Sequence, residues 1–157
     1  MDEKLWISEN FTLYDVQFNE IAHRQGITNR ITDDALIENA RELAELILEP
    51  IVEGFGHVSI TSWYRCENLE REYQRNTFAR WCIKNRKPIR EDVWSEFLAD
   101  KQDHTKAQCV TLRTQARRMD ELFDFIGKLP TFDVLIHKTH WVSVSVGNSN
   151  QRRIIHE

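Results

Sequence analysis

Residues 141–146 read WVSVSV and alternate strictly between valine and other residues. Successive side chains of a β-strand point to opposite faces of the sheet. Val142, Val144 and Val146 therefore lie on one face, and Trp141 and the two serines lie on the other. A face made of valines needs an apolar cover, which helices from elsewhere in the chain can provide. The pattern predicts a strand that is packed on the core through its valines.

The rest of the chain predicts helices first and most of the strands later. Helical spacing follows Thr12-x-x-Asp15 up to Gly26, and a second, long helix begins at Thr32 or Asp33 and ends near Gly54, with a bend at Pro50. Further strands are predicted at 57–62, 108–112 and 132–137. The fold class is α+β, with the N-terminal helices packed on a small antiparallel sheet.

Between the strands, residues 67–85 and 90–100 have helical patterns, and a third helix carries Met119 and Ile126. A chain of 157 residues is long enough for one domain with a core, so we expect a single domain over 1–157. No apolar run predicts a membrane span, and the acidic N-terminus does not resemble a secretion signal. Three cysteines without a close pair favour thiols over disulfides. The net charge of −4 argues against a nucleic-acid binder.

Four stretches occur in an order that is known from one enzyme family: ITSWYRCENLE at 60–70, QDHTKAQCVT at 102–111, FDVLIHK at 132–138 and WVSVS at 141–145. The chain resembles the small phage-type branch of the zinc D-alanyl-D-alanine carboxypeptidases, whose fold is related to hedgehog signalling domains. The resemblance covers nearly the whole chain. It is interrupted between Glu70 and His104, where about twenty residues are added, so we expect a helical insertion at about 71–103.

The family uses His, Asp and His to bind Zn²⁺ and a Glu as general base, which leaves a coordination position for water. The resemblance places these roles at His104, Thr111, Ser143 and Lys138, with an uncertainty of one residue for the last. We call these four the relic positions. Hydroxyls are poor zinc donors, and a protonated lysine cannot accept a proton. The resemblance therefore implies a degenerate active site with no catalytic residues, metal or cofactor.

Two glycines of the family pattern are also replaced, by Trp63 and Ala107. A tryptophan at the first position would fill part of the peptide groove. Tyr64 and Arg65 match a pair that shapes the groove and binds substrate carboxylate, a group for which an arginine fork is suited. Arg65 has two open roles, which are internal bracing by an acidic residue and ligand binding.

Other residues could rebuild a metal site, and His137 and His140 are the nearest candidates. They straddle the end of one predicted strand and the start of the next, which favours ordinary edge or loop histidines. His57, Cys109 and Asp103 also lie near the relic positions in sequence.

The added segment contains six basic residues and no acidic one between Arg75 and Arg90, with aromatic residues among and just before them. It is either a solvated helix face or a docking surface for an acidic protein, since arginine and aromatic residues are enriched at interfaces. Its predicted contact residues are Arg80, Trp81, Arg86 and Lys87.

These observations lead to three functional hypotheses. The first is a catalytically inactive, peptidase-like structural or protein-binding component, whose partners are other chains of a bacteriophage particle that is assembled in the host cytoplasm. The second is an active zinc peptidase or other peptidoglycan hydrolase with altered ligands. The third is a module that binds peptidoglycan without cutting it. The phage setting rests on analogy, because fold does not determine function.

Overall fold

The computed structural model describes residues 2–98 and 104–157. The α-helices are α1 (Leu13–Gln17), α2 (Glu20–Gln25), α3 (Asp34–Leu43), α4 (Glu49–Gly54), α5 (Glu67–Lys84), α6 (Trp94–Leu98) and α7 (Met119–Gly127). A π-helical segment (Ala44–Leu48) joins α3 to α4, and 3₁₀ turns (Glu91–Val93 and Ala116–Arg118) precede α6 and α7. The strands are β1 (Ser59–Ser62), β2 (Cys109–Arg113), β3 (Val134–His137), β4 (Val142–Ser145) and β5 (Arg153–His156).

The predicted first helix is divided into α1 and α2. It begins as expected, because the Asp15 carboxylate accepts a hydrogen bond of 2.8 Å from the Thr12 backbone N–H. The helix then ends at Phe18, and Asn19 caps α2 by accepting a hydrogen bond from the Ala22 N–H at 3.1 Å. An internal asparagine that competes for backbone donors explains why one predicted helix became two.

The predicted long helix is present from α3 to α4, with a π-helical segment just before Pro50. There the Glu49 N–H donates to the Ala44 carbonyl, five residues back, instead of four. Pro50 has no backbone N–H and cannot make the usual hydrogen bond to the carbonyl four residues earlier. The π-helical segment directly before it lets the helix continue without that hydrogen bond. The expected irregularity at the proline therefore takes the form of a local change of helical register.

The four predicted strands belong to one sheet with the order β1-β2-β4-β3-β5 and pair antiparallel as expected, but the sheet as a whole is mixed, because it contains a fifth, parallel strand that was not predicted. The pairs β1–β2, β2–β4 and β3–β4 are antiparallel, whereas β5 pairs with β3 in parallel. The fifth strand was not predicted, because its Ile154 and Ile155 are adjacent and do not alternate with polar residues. The fold class is a mixed α+β arrangement.

The valine face of β4 is covered as predicted. Val142, Val144 and Val146 are at most 1 % exposed and belong to the main core. That core also contains apolar residues of α1, α3, α4 and α7, so helices from both halves of the chain pack on this face. The opposite face contains Thr111 and Ser143, which are directly paired across β2 and β4.

The inserted segment forms a second, smaller apolar cluster. Phe78 of α5 stacks on Trp94 of α6 with ring centroids 3.9 Å apart, and Trp81 and Phe97 pack around them. Helix α5 begins at Glu67, before the predicted start of the insertion, and α6 packs back against it. The part of the predicted insertion at 99–103 lies outside the described residues. Among residues 2–98 and 104–157, no helix is both long and apolar enough to cross a membrane.

Candidate functional site

All four relic positions line the same cleft. Its volume is about 570 Å³, and its lining includes His104, Thr111, Lys138, Ser143 and also Arg65. The polar face of the sheet and helices α2 and α5 provide part of the lining, and the loops that contain Arg65, His104, Lys138 and Trp141 provide the rest. The relic positions are up to 39 residues apart in sequence. The pairing of β2 with β4 brings Thr111 next to Ser143, and the segment that leads into β2 contributes His104.

Two hydroxyl-bearing relic positions, Thr111 and Ser143, lie side by side on the sheet. Both are mostly buried, at 7 % and 8 % exposed. The Ser143 hydroxyl lies 3.2 Å from the thiol of Cys109, which occupies the same face of β2 two residues before Thr111. This surface is suited to hydrogen bonding with a ligand and offers no anionic metal ligand at either position.

His104 is held in one orientation by the backbone. Its Nδ1 lies 2.8 Å from the Trp63 carbonyl oxygen, and the Arg65 N–H donates to the His104 carbonyl at 3.0 Å. Burial and the nearby Arg65 charge lower the pKa of His104 from 6.5 to about 3, against the opposing effect of the Trp63 hydrogen bond. The imidazole is therefore neutral near pH 7. Because a carbonyl only accepts, Nδ1 carries the proton and Nε2 has the lone pair.

We expect this tautomer to persist into mildly acidic solution. In imidazole ¹⁵N NMR spectra, Nε2 of His104 should keep the chemical shift of an unprotonated nitrogen down to about pH 4. The unfolded chain binds a proton near the ordinary value of 6.5, whereas the folded state does not until the pH approaches about 3. The contribution of His104 to stability should therefore fall as the pH decreases from 6.5 towards 3.

The control is the His104→Gln variant, whose unfolding free energy should depend less on pH over this window than that of the unmodified protein. A His104 resonance that titrates above pH 6 would contradict the assignment.

Lys138 brings a positive charge to the cleft. Its ammonium is paired with the Glu157 carboxylate at 2.6 Å and lies 5.0 Å from the centre of the Trp141 ring. Both charged side chains remain partly exposed, at 42 % and 45 %. The resemblance expects a carboxylate base here, and an ammonium that is held by an acid cannot take that role.

Arg65 is braced internally. Its guanidinium donates to the Ser62 hydroxyl at 2.8 Å and to the Glu70 carboxylate at 3.0 Å, and it lies 3.7 Å from the centre of the Tyr73 ring. The Glu70 side chain is 1 % exposed, so this is a buried ion pair. Of the two open roles for Arg65, these contacts favour bracing, although the residue still lines the cleft.

Tyr64 is not among the cleft-lining residues. Its side chain belongs to the main core, and burial raises the pKa of its phenol above the usual value. Trp63 does not fill the groove either, because it is fully buried in the same core and donates its indole N–H to the Ala107 carbonyl at 3.2 Å. The segment leading out of β1 thus directs Arg65 to the cleft and its two preceding aromatic residues to the interior.

Two cleft cations were not anticipated. Arg113 follows Thr111 by two residues on β2, so the alternation of that strand could have identified it. Arg24 of α2 also lines the cleft, and only the tertiary packing of α2 brings it there. With Lys138, these residues give the cleft more positive than negative side chains, since Glu20 is the one carboxylate in the described lining.

The residues of the cleft do not fit a zinc ion of the expected type. His104 offers one imidazole, whereas the other relic positions offer two hydroxyls and an ammonium. Within residues 2–98 and 104–157, no group of three or more His, Cys, Asp or Glu side chains could hold a metal ion. His137 lies 3.3 Å from the Asp120 carboxylate and packs on Phe123 of α7, and His140 is exposed. Asp103 lies outside the described residues.

The four predicted contact residues of the insertion have different environments. Arg80 and Arg86 are exposed. Lys87 is also exposed and is paired with Glu96 of α6 at 2.8 Å. Trp81 is half-buried in the second cluster, where its ring lies 5.5 Å from that of Phe97. Truncating Trp81 would therefore remove packing within the chain, whereas Arg80 and Arg86 are suitable probes of an interface.

No protein-family model, curated protein or solved structure matches this chain.

Proposed function

We propose that this chain is a catalytically inactive relative of the phage-type zinc D-alanyl-D-alanine carboxypeptidases, with a hedgehog/DD-peptidase-like fold. It acts as a binding and structural component of a larger assembly. The observation that carries the proposal is that the four relic positions converge on one cleft and that only one of the four, His104, has a side chain suited to binding zinc.

The surroundings of His104 also support a peptidase-like origin. Its Nδ1–H is directed at a backbone carbonyl, which is how metal-binding histidines are commonly oriented. Three residues later, Ala107 has φ 60°, a left-handed conformation that favours glycine, and the resemblance expects glycine there. These features fit a chain that kept the backbone around the first ligand while the side chains at the other positions changed.

Loss of the metal chemistry follows from the side chains. An open catalytic zinc site needs three protein ligands and a water whose pKa the metal lowers. Thr111 and Ser143 cannot replace an anion and an imidazole, and Lys138 would repel a dication. Several changes would have to be reversed together before the cleft could act on a peptide by this mechanism.

The assembly role rests on the inserted helical segment and on the phage-type resemblance. The segment contains the exposed cations Arg80 and Arg86 and forms a packed unit of its own, so it can present a surface without disturbing the main core. A bacteriophage head, connector or tail is the assembly that the resemblance suggests. Mass spectrometry of purified particles that are produced with this chain should detect it at a fixed copy number.

A second candidate function is a module that binds peptidoglycan without cutting it. This alternative is favoured by the position of Trp63, which is buried in the core and leaves the cleft open. Sedimentation with purified cell-wall sacculi separates the candidates, because a peptidoglycan-binding module would be retained on sacculi and a particle component would not.

The central prediction is the absence of zinc-dependent hydrolysis. The purified protein should contain less than stoichiometric zinc by elemental mass spectrometry and should not release D-alanine from D-alanyl-D-alanine peptides. The Thr111→Asp variant should remain inactive as well, because Ser143 and Lys138 are unchanged. Stoichiometric zinc together with hydrolysis that the His104→Ala variant abolishes would instead establish the active-enzyme hypothesis.

A further inference from the structure

One face of α5 runs from the cleft to the C-terminal end of the helix. Tyr73, Thr77, Arg80 and Lys84 are spaced at i, i+4, i+7 and i+11, so they lie along the same side of the helix. Tyr73 and Thr77 line the cleft, and Arg80 and Lys84 continue their row beyond it. We call these four residues the α5 stripe. At 1.5 Å per residue the stripe is about 16 Å long.

The outer half of the stripe has uncompensated positive charge. The sequence contains no acidic residue from Tyr73 to Arg90. Arg75 and Arg90 are nevertheless paired, with Glu72 and Asp92. Arg80 and Lys84 are exposed and form no ion pair within the described ranges 2–98 and 104–157. Their charges are therefore available to a partner.

The cleft continues this positive surface inward. Arg24, Arg113 and Lys138 line it with only Glu20 as a lining carboxylate, while the charge of Arg65 is already balanced by buried Glu70. Lys138 has Glu157 as a partner, and Arg24 lies 4.0 Å from Glu20, whereas exposed Arg113 has no ion pair among the described residues. Arg113 in the cleft therefore resembles Arg80 and Lys84 in having an exposed charge that is free to pair with a ligand.

Apolar side chains lie beside these charges both in the cleft and along the α5 stripe. Trp141 and Tyr73 line the cleft, and Ile83, next to the outer half of the stripe, is 72 % exposed. A ligand made only of phosphate groups would use the cations and leave these side chains in water. A polypeptide with acidic and apolar side chains would satisfy both kinds of contact.

We propose that the cleft and the α5 stripe form one continuous site for an extended, acidic polypeptide segment of a partner protein. The proposal rests on the proposed function, because it requires a cleft that binds without cutting. The stripe alone spans about five extended residues at roughly 3.3 Å each, so a segment of about ten residues would fill both the stripe and the cleft.

The test is fluorescence anisotropy with two labelled probes, a ten-residue peptide in which glutamate and leucine alternate and a deca-thymidylate oligonucleotide, at several salt concentrations. We expect the peptide to bind and its affinity to fall as salt increases. The Arg80→Gln/Lys84→Gln variant should weaken peptide binding about tenfold or more. The Arg75→Gln/Arg90→Gln variant removes the same net charge from exposed, paired positions and should change the affinity less than about twofold. Arg113→Gln should weaken binding too.

Three results would overturn the proposal. Equal effects of the two double variants would show a nonspecific response to net charge. An unaffected Arg113→Gln would show that the cleft is not part of the site. Tighter binding of the oligonucleotide, with the same dependence on Arg80 and Lys84, would identify a nucleic-acid surface. Zinc content and D-alanine release are measured on the same preparations, so that hydrolysis would refute the proposed function separately from the peptide-binding result.

Discussion

Replacing Trp63 with alanine should lower the free energy of unfolding by about 3–5 kcal/mol, a large share of the roughly 5–15 kcal/mol that is typical of a domain. The side chain is fully buried among the residues that join the helices to the sheet. Its ring packs edge-on against Phe11 with centroids 6.2 Å apart, and its indole N–H donates to the Ala107 carbonyl. The substitution therefore creates a cavity and leaves a buried carbonyl without its donor.

The matched control is Trp6→Ala, because Trp6 is 60 % exposed. We expect it to change stability by less than about 1 kcal/mol in urea denaturation followed by circular dichroism. If Trp63→Ala is too unstable to purify, Trp63→Phe provides a milder variant, and it should still be less stable than Trp6→Ala. Equal stabilities of the two alanine variants would mean that Trp63 is not a core residue.

The sequence predicted the strands well where one face is apolar and the other polar. The alternation of valine and polar residues in β4 predicts which side chains are buried, and Val142, Val144 and Val146 are in the core as predicted. The parallel strand β5 was not predictable in the same way, because Ile154 is 46 % exposed at the sheet edge and the strand buries little. Its position depends instead on backbone pairing with β3, which leaves no periodic pattern in the sequence.

Four residues of the candidate site were identified together from the sequence, whereas their environments and the presence of Arg24 in the cleft were not predictable. Motif order identified His104, Thr111, Lys138 and Ser143, and all of them line one cleft. The direction of a side chain in an irregular segment depends on its neighbours in three dimensions. For that reason the sequence could not reveal that Trp63 faces the core and that its carbonyl fixes the His104 tautomer.

The same limit applies to charge. A run of basic residues in the sequence suggested one basic surface. In the structure, acidic residues from outside the run pair with some of these basic residues and leave others unpaired. Lys87 and Arg90 are neutralised locally, by Glu96 and Asp92, while Arg80 and Lys84 are not neutralised by any described residue. The segment is therefore part of a packed unit that also has exposed, unpaired charges, and its use as a docking surface stays a prediction.

Replacing Glu70 with glutamine should destabilise the protein by about 3–5 kcal/mol, because it leaves the buried Arg65 charge without its counterion. Glu70 also accepts a hydrogen bond of 2.9 Å from the Gln74 amide, so the new amide group would face donors on both sides. The matched control is Glu72→Gln, which removes the partner of exposed Arg75 and should cost less than about 1 kcal/mol in urea denaturation. Equal effects of the two variants would show that Arg65 is not braced by Glu70 and is instead available to a ligand in the cleft.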